Sequence, residues 1–164
     1  MKTHTYESDG PAIATTHFID GKAAVWAGLV AGAVFMMAEM LMVAVFEGQS
    51  PWAPPRMIAA MVLGKDVLMP PTFDVGILVT AMVIHFALSI VYGLVLAVLL
   101  RRANQVTGLT VGAGLGLAIY LINFYPITSA LFPWFAMARG WVSIVAHIMF
   151  GAVAGLAYVR MRRA

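Results

Sequence analysis

Four long apolar segments, separated by shorter polar ones, dominate the pattern along the chain. The clearest covers residues 75–100, VGILVTAMVIHFALSIVYGLVLAVLL, with His85 as its ionisable side chain. A helix of that length rises about 39 Å at 1.5 Å per residue, enough to cross a hydrocarbon core of roughly 30 Å. Similar segments at 23–46, 107–131 and 141–160 predict three more spans. The predicted fold class is therefore an all-α polytopic membrane protein with four transmembrane helices.

The polar stretches divide the chain into a tail, residues 1–22, and a four-helix transmembrane domain, residues 23–164. The tail lacks the basic-then-apolar order of a secretory signal, and its His4 and His17 are expected to be exposed. The longest connection, residues 47–74, contains a short apolar helix between two proline pairs. That helix is too short to span, so we interpret it as an interfacial, re-entrant or docking element.

The end of the third span depends on Pro126. The residue before a proline disfavours the α conformation, so the helix either ends near Tyr125 or kinks and continues towards Phe132. The apolar pattern fits both alternatives.

The amino-acid composition also indicates a membrane protein. Hydrophobic residues make up 62% of the chain, charged residues only 10%, and the mean hydropathy is +0.92, which predicts lipid as the solvent. The absence of cysteine excludes disulfides and thiolate metal sites. The net charge of +3 does not indicate nucleic acid, because the basic residues cluster at the ends of the spans.

The distribution of basic residues predicts the orientation in the membrane. One side would carry seven: Lys2, Lys22, Arg101, Arg102, Arg160, Arg162 and Arg163. The other side would carry three: Arg56, Lys65 and Arg139. Cytoplasmic loops are richer in lysine and arginine, so both termini are predicted to be cytoplasmic and the 47–74 loop periplasmic. The expected location is a bacterial inner membrane.

The two halves of the chain share a pattern. The glycines, leucine and alanines of residues 28–38 recur at residues 108–118, and His85 and His147 are each followed eight residues later by Gly-Leu. Each half contains two spans, so the sequence predicts two tandem two-helix hairpin repeats related by an axis along the membrane normal.

Three ionisable side chains lie at similar depth in the predicted spans. Glu39 is 17 residues from Lys22, His85 is 16 from Arg101 and His147 is 16 from Arg163, counting from basic residues at the predicted cytoplasmic edge. At 1.5 Å per residue this is about 24–26 Å, so they are predicted to form one buried polar layer. Asn123, and with it Tyr120, could join the layer from the third span.

Several chemistries fit such a layer. The simplest is a set of hydrogen bonds that fixes helix packing. One histidine on each of two helices also suits bis-histidine ligation of haem b or another tetrapyrrole by His85 and His147. A metal site would add Glu39, and a copper(I) variant would draw on Met36, Met37, Met40 and Met42. Proton or ion translocation through a Glu–His pair is the remaining alternative.

Two motifs carry a family resemblance. GQSPW-x-P at residues 48–54, together with H-x7-GL at His85 and His147, resembles uncharacterised four-span inner-membrane proteins of bacteria. The resemblance implies a fold and a location, and it carries no assigned activity or ligand.

The chain shows no phosphate-binding loop and no Ser-His-Asp pattern. We therefore expect a non-enzymatic integral protein, an accessory subunit of a larger inner-membrane complex such as one of electron transport. The alternatives are a haem-binding electron carrier and a small ion-translocating or metal-binding protein. The expected partners are the lipid bilayer and either other membrane subunits or further copies of this chain.

Overall fold

The structure, a computed structural model, describes residues 19–162, so His4, His17 and Arg163 lie outside it. This part of the chain contains five main helices: α1 (Gly21–Phe46), α2 (Ala53–Leu63), α3 (Val75–Leu99), α4 (Gln105–Ala130) and α5 (Trp141–Met161). Four of them, all except α2, are long and apolar enough to cross a membrane. Their boundaries lie within two residues of the four predicted spans. The predicted all-α class, with four helices of membrane-spanning length, is confirmed for the described residues.

Side chains just before three of the long helices explain where these begin. Asp20 accepts a hydrogen bond from the backbone N–H of the third residue after it, at 3.0 Å, and Asp74 and Asn104 do the same at 2.9 Å. The first N–H groups of a helix have no partner within the helix, and these oxygens supply one.

Small residues bring the backbones of neighbouring helices into contact. In the contact between α4 and α5, a Cβ added to Gly112 would overlap the backbone carbonyl of Gly151. In the contact between α1 and α3, a Cβ added to Gly28 would overlap the carbonyl of Ser89. The third extensive contact joins α1 to α5, and buried alanines lie on both of these helices. The helices thus form a row in the order α3, α1, α5, α4, bent into an open bundle.

The bundle is open between α3 and α4, which barely touch. A long hydrogen bond links them, 3.4 Å from the Tyr92 hydroxyl to Asn123 Oδ1. The side chains near this gap are large: Leu88 and Tyr92 on α3 and Ile119 on α4. Bulky side chains in place of glycine keep these two backbones apart.

Helix α4 continues past Pro126 through a π-helical segment, Asn123–Ile127. This decides between the two predicted ends of the third span, because the helix extends to Ala130. The wider turn shifts the bond of the Thr128 N–H to the carbonyls of Asn123 and Tyr125. The carbonyl of Phe124 instead accepts a hydrogen bond of 2.6 Å from Arg139 Nε.

The segments that follow α1 and α4 cover the same end of the bundle, which we call the α2 end. Arg56 is buried there, and its guanidinium donates to the backbone carbonyls of Thr72 at 2.8 Å and Val67 at 2.6 Å. The indole N–H of Trp134 donates to the carbonyl of Met57 at 3.1 Å, which ties the segment after α4 to α2. The connecting segments therefore form an ordered cover over the bundle.

Candidate functional site

A cavity of about 740 Å³ lies under this cover, between α3 and α4. Helices α1 and α5 form its floor, and α2 and the segments around it form its roof. Most of the lining is apolar, with methionine, phenylalanine, leucine and isoleucine side chains. The polar lining residues are Glu39, Glu47, Gln49, Ser50, His85, Ser89, Tyr92, Asn123, Ser143 and His147. Pockets for small lipophilic molecules have this composition, an apolar wall with a few polar groups.

The polar residues predicted from the sequence meet at this cavity. Glu39, His85 and His147 are 6%, 7% and 8% exposed, and all three line it. The ring of Phe35 contacts both imidazoles, with centroids 5.4 Å from His85 and 4.9 Å from His147. Asn123 lies half-buried in the wall.

Tyr120, the other residue suggested for the layer, is 3% exposed. Its ring lies 5.7 Å from that of His147 and stacks on Phe124 at 4.8 Å. It supports the histidine from behind, since it does not line the cavity.

Only one of the two carboxyl oxygens of Glu39 has a hydrogen-bond partner. The hydroxyl of Ser143 donates to its Oε1 at 2.7 Å. Its Oε2 is buried and has no hydrogen-bond partner. Leaving a buried polar atom without a partner costs about 1–3 kcal/mol, and more for a charged group. A ligand that donates a hydrogen bond at this point would recover that energy.

The two histidines each use one ring nitrogen. His85 Nε2 donates to the carbonyl of Gly32 at 2.9 Å, and His147 Nδ1 donates to the carbonyl of Ser143 at 2.7 Å. A carbonyl only accepts, so these nitrogens carry the protons and the other nitrogen of each neutral ring is an acceptor. These two histidines and Glu39, whose Oε2 has no hydrogen-bond partner, all belong to the residues that line the cavity.

This arrangement does not fit a haem held between the two histidines. Axial ligation requires an unprotonated nitrogen that points at the iron, and the bond from Nε2 of His85 to the carbonyl of Gly32 leaves only Nδ1 of that ring for this purpose. Phe35 also packs against both rings where the flat macrocycle would have to lie. The small residues one turn from the histidines leave no room for a macrocycle, because Gly151 is in direct helix contact: a Cβ on it would overlap the carbonyl of Gly112.

The proposed metal sites find no support in the geometry. Within residues 19–162, no three His, Asp or Glu side chains lie close enough together to hold a metal ion, which includes the set Glu39, His85 and His147. The methionines of the copper(I) variant point in different directions, since Met36 is 5% exposed and Met37 is 65% exposed.

Apart from the two histidines, the ionisable side chains on the cavity wall are acidic. Glu39 and Glu47 line it, and among the described residues no lysine or arginine does.

Sequence reasoning missed Phe35, the bond from Ser143 and the cavity itself, because these depend on which helices are neighbours.

No family model, curated protein or solved structure matches this chain.

Proposed function

We propose that this chain is a non-enzymatic membrane protein that binds a lipophilic small molecule with a hydrogen-bond donor group. The observation that carries the proposal is the unpartnered Oε2 of Glu39 at the wall of a large, mainly apolar cavity. The apolar wall would take up the body of the ligand, and burying it contributes about 25 cal/mol per Å². The donor group would bond to Glu39 and the free nitrogens of the histidines.

The gap between α3 and α4 gives such a ligand a route from the bilayer. Its sides are formed by the exposed Leu88 and by Tyr92 and Asn123, whose bond of 3.4 Å is at the long end for a hydrogen bond. A lipophilic molecule dissolved in the membrane would therefore reach the cavity without crossing water.

The test is a binding measurement in nanodiscs with two fluorescent donors, 9-(hydroxymethyl)anthracene and 9-(aminomethyl)anthracene. Leu88→Trp fills the entrance to the cavity and should abolish saturable binding. Val83→Trp adds the same side chain five residues earlier on α3, at a position 66% exposed and outside the cavity, and should bind like wild type.

Ile119→Trp, on the opposite wall, is a second blocking variant in case Leu88→Trp does not fold, as judged by gel filtration and circular dichroism. Binding of neither probe above empty nanodiscs, or equal binding in blocked and unblocked proteins, would refute the proposed function.

We also propose that the chain lies in a bacterial inner membrane with both termini in the cytoplasm. The supporting observation is the contrast between the two ends of the bundle. The end at which α1 begins and α5 ends has five basic residues among those described: Lys22, Arg101, Arg102, Arg160 and Arg162. The α2 end has three: Arg56, Lys65 and Arg139.

The tandem repeat remains our proposal for how the bundle is built. Contacts in the two hairpins support it, because equivalent residues meet in each. Gly93 packs on Gly28 in the first hairpin, as Gly155 packs on Gly108 in the second. The association with a larger membrane complex, and proton or ion translocation, stay predictions.

A further inference from the structure

We infer that the ligand of this cavity is a lipophilic amine, whose ammonium group binds to Glu39. The inference rests on the proposed function and adds the chemical class of the ligand. Its basis is the charge of the wall: two carboxyl groups, Glu39 and Glu47, line the cavity without a lysine or arginine among the described lining residues. An acidic ligand would find no cation to bind.

The burial and the hydrogen bonding of Glu39 also favour a cationic ligand. The side chain is 6% exposed and within a span, where an isolated carboxylate is costly. Its partner, Ser143, is a neutral hydroxyl that satisfies one oxygen and leaves Oε2 free. An ammonium group would supply both the missing hydrogen bond and the opposite charge, and such charge-assisted bonds are about twice as strong as neutral ones.

Aromatic rings line the same cavity as Glu39 and favour the same class of ligand. Phe35, Phe150 and Tyr92 line the cavity next to one another, with centroids 6.2 Å apart for the first two and 6.4 Å apart for the last two. The faces of such rings attract cations, and the effect is largest where water is excluded. They also provide flat apolar surface for the hydrophobic part of the ligand.

An inorganic cation fits this wall less well. The described residues contain no cluster of three His, Asp or Glu side chains, and most of the lining offers carbon and sulfur instead of oxygen. A neutral alcohol could bond to Oε2 but would not provide the positive charge that stabilises the ionised form of Glu39. The experiment must therefore separate the amine from the alcohol.

The probes are three anthracenes of nearly the same shape: the 9-aminomethyl cation, the 9-hydroxymethyl alcohol and the 9-carboxylate anion. Each is titrated at pH 7 into the full chain in phosphatidylcholine nanodiscs, with empty nanodiscs as the blank. We expect the amine to bind at least about tenfold more tightly than the alcohol, and the anion not to bind. In Glu39→Gln, whose amide keeps an acceptor without the charge, this preference should fall to about twofold or less.

Glu47→Gln is the matched control, because Glu47 also lines the cavity but is exposed to solvent. It should change the preference for the amine by less than about threefold, as expected for a screened charge.

Equal binding of amine and alcohol, or a preference that survives Glu39→Gln, would overturn the amine assignment while the proposed function stands. A preference lost in Glu47→Gln would likewise overturn the role of Glu39. If Glu39→Gln does not fold, the ranking of the three probes on the wild-type protein decides. Absence of binding by all three would refute the proposed function as well.

Discussion

Replacing Gly112 by alanine should separate α4 from α5 and destabilise the protein. The added Cβ would lie 3.3 Å from the Cα of Gly155 and 2.9 Å from the carbonyl carbon of Gly151, and it would overlap the oxygen of that carbonyl. Carbon–oxygen contacts of this kind lie at about 3.3–3.6 Å, so the two backbones would have to separate by about 1 Å. Gly114 is the matched control, because a Cβ there meets nothing within 4 Å.

The magnitude follows from the contacts that the separation would cost. Overpacking costs about 1–3 kcal/mol, and each lost C–H···O contact between the helices costs about 0.5–1 kcal/mol. For Gly112→Ala we expect a loss of about 2–4 kcal/mol in the free energy of unfolding, a shift of about 30- to 700-fold in the equilibrium. For Gly114→Ala we expect a change within about 0.5 kcal/mol.

Reversible unfolding in mixed micelles, with increasing sodium dodecyl sulfate and tryptophan fluorescence as the signal, measures both variants. Transmembrane helices persist in the unfolded state in detergent, so the helix propensity of alanine largely cancels and the difference reports on packing. Equal stability of the two variants would show that α4 and α5 do not pack through their glycines.

Three further predictions concern the cover, the carboxyl group and the topology. Arg139→Ala should lower the unfolding free energy by about 0.5–1.5 kcal/mol, because the carbonyl of Phe124 loses its donor. Arg102→Ala, which is also exposed but removes no bond to Phe124, should change it by much less, and equal effects in the same micelle assay would contradict this. Ser143→Ala should destabilise the wild-type protein by about 1 kcal/mol and should have a smaller effect in a Glu39→Ala background, because its hydrogen-bond partner is then missing. A double-mutant cycle in the same assay measures this coupling, and additive effects of the two substitutions would contradict it. Alkaline phosphatase fused within α2 should be active and fused at the C-terminus inactive, and the reverse pattern would invert the proposed orientation.

The sequence was sufficient for the spans because length and hydropathy decide them. A segment of more than 20 apolar residues has no place in water, and polar caps such as Asp74 and Asn104 mark where the helices begin. The course of the third span past Pro126 was not predictable. The π-helical turn leaves the carbonyl of Phe124 to Arg139, a residue that lies beyond the helix in the chain.

The depth of the candidate site along the helices could be predicted from the sequence, but the rotation of each helix about its axis could not. Counting residues from the basic edge placed Glu39, His85 and His147 at one level, and the structure places all three at one cavity. Hydrogen-bond partners depend on how each helix is rotated about its axis. The pattern of residues therefore gave no sign that His85 bonds to the carbonyl of Gly32, the contact that opposes ligation of a haem.

The location of the cavity follows from the distribution of small residues among the helix contacts. Glycine, serine and alanine line the contacts of α1 with α3, α1 with α5 and α4 with α5, and there the backbones meet. The fourth possible contact, α3 with α4, has Leu88 and Tyr92 facing Ile119. Three tight contacts and one wide one force a four-helix bundle to open on a single side. The polar layer lies on the floor of that opening, so the packing that buries Glu39 also makes it part of the cavity wall.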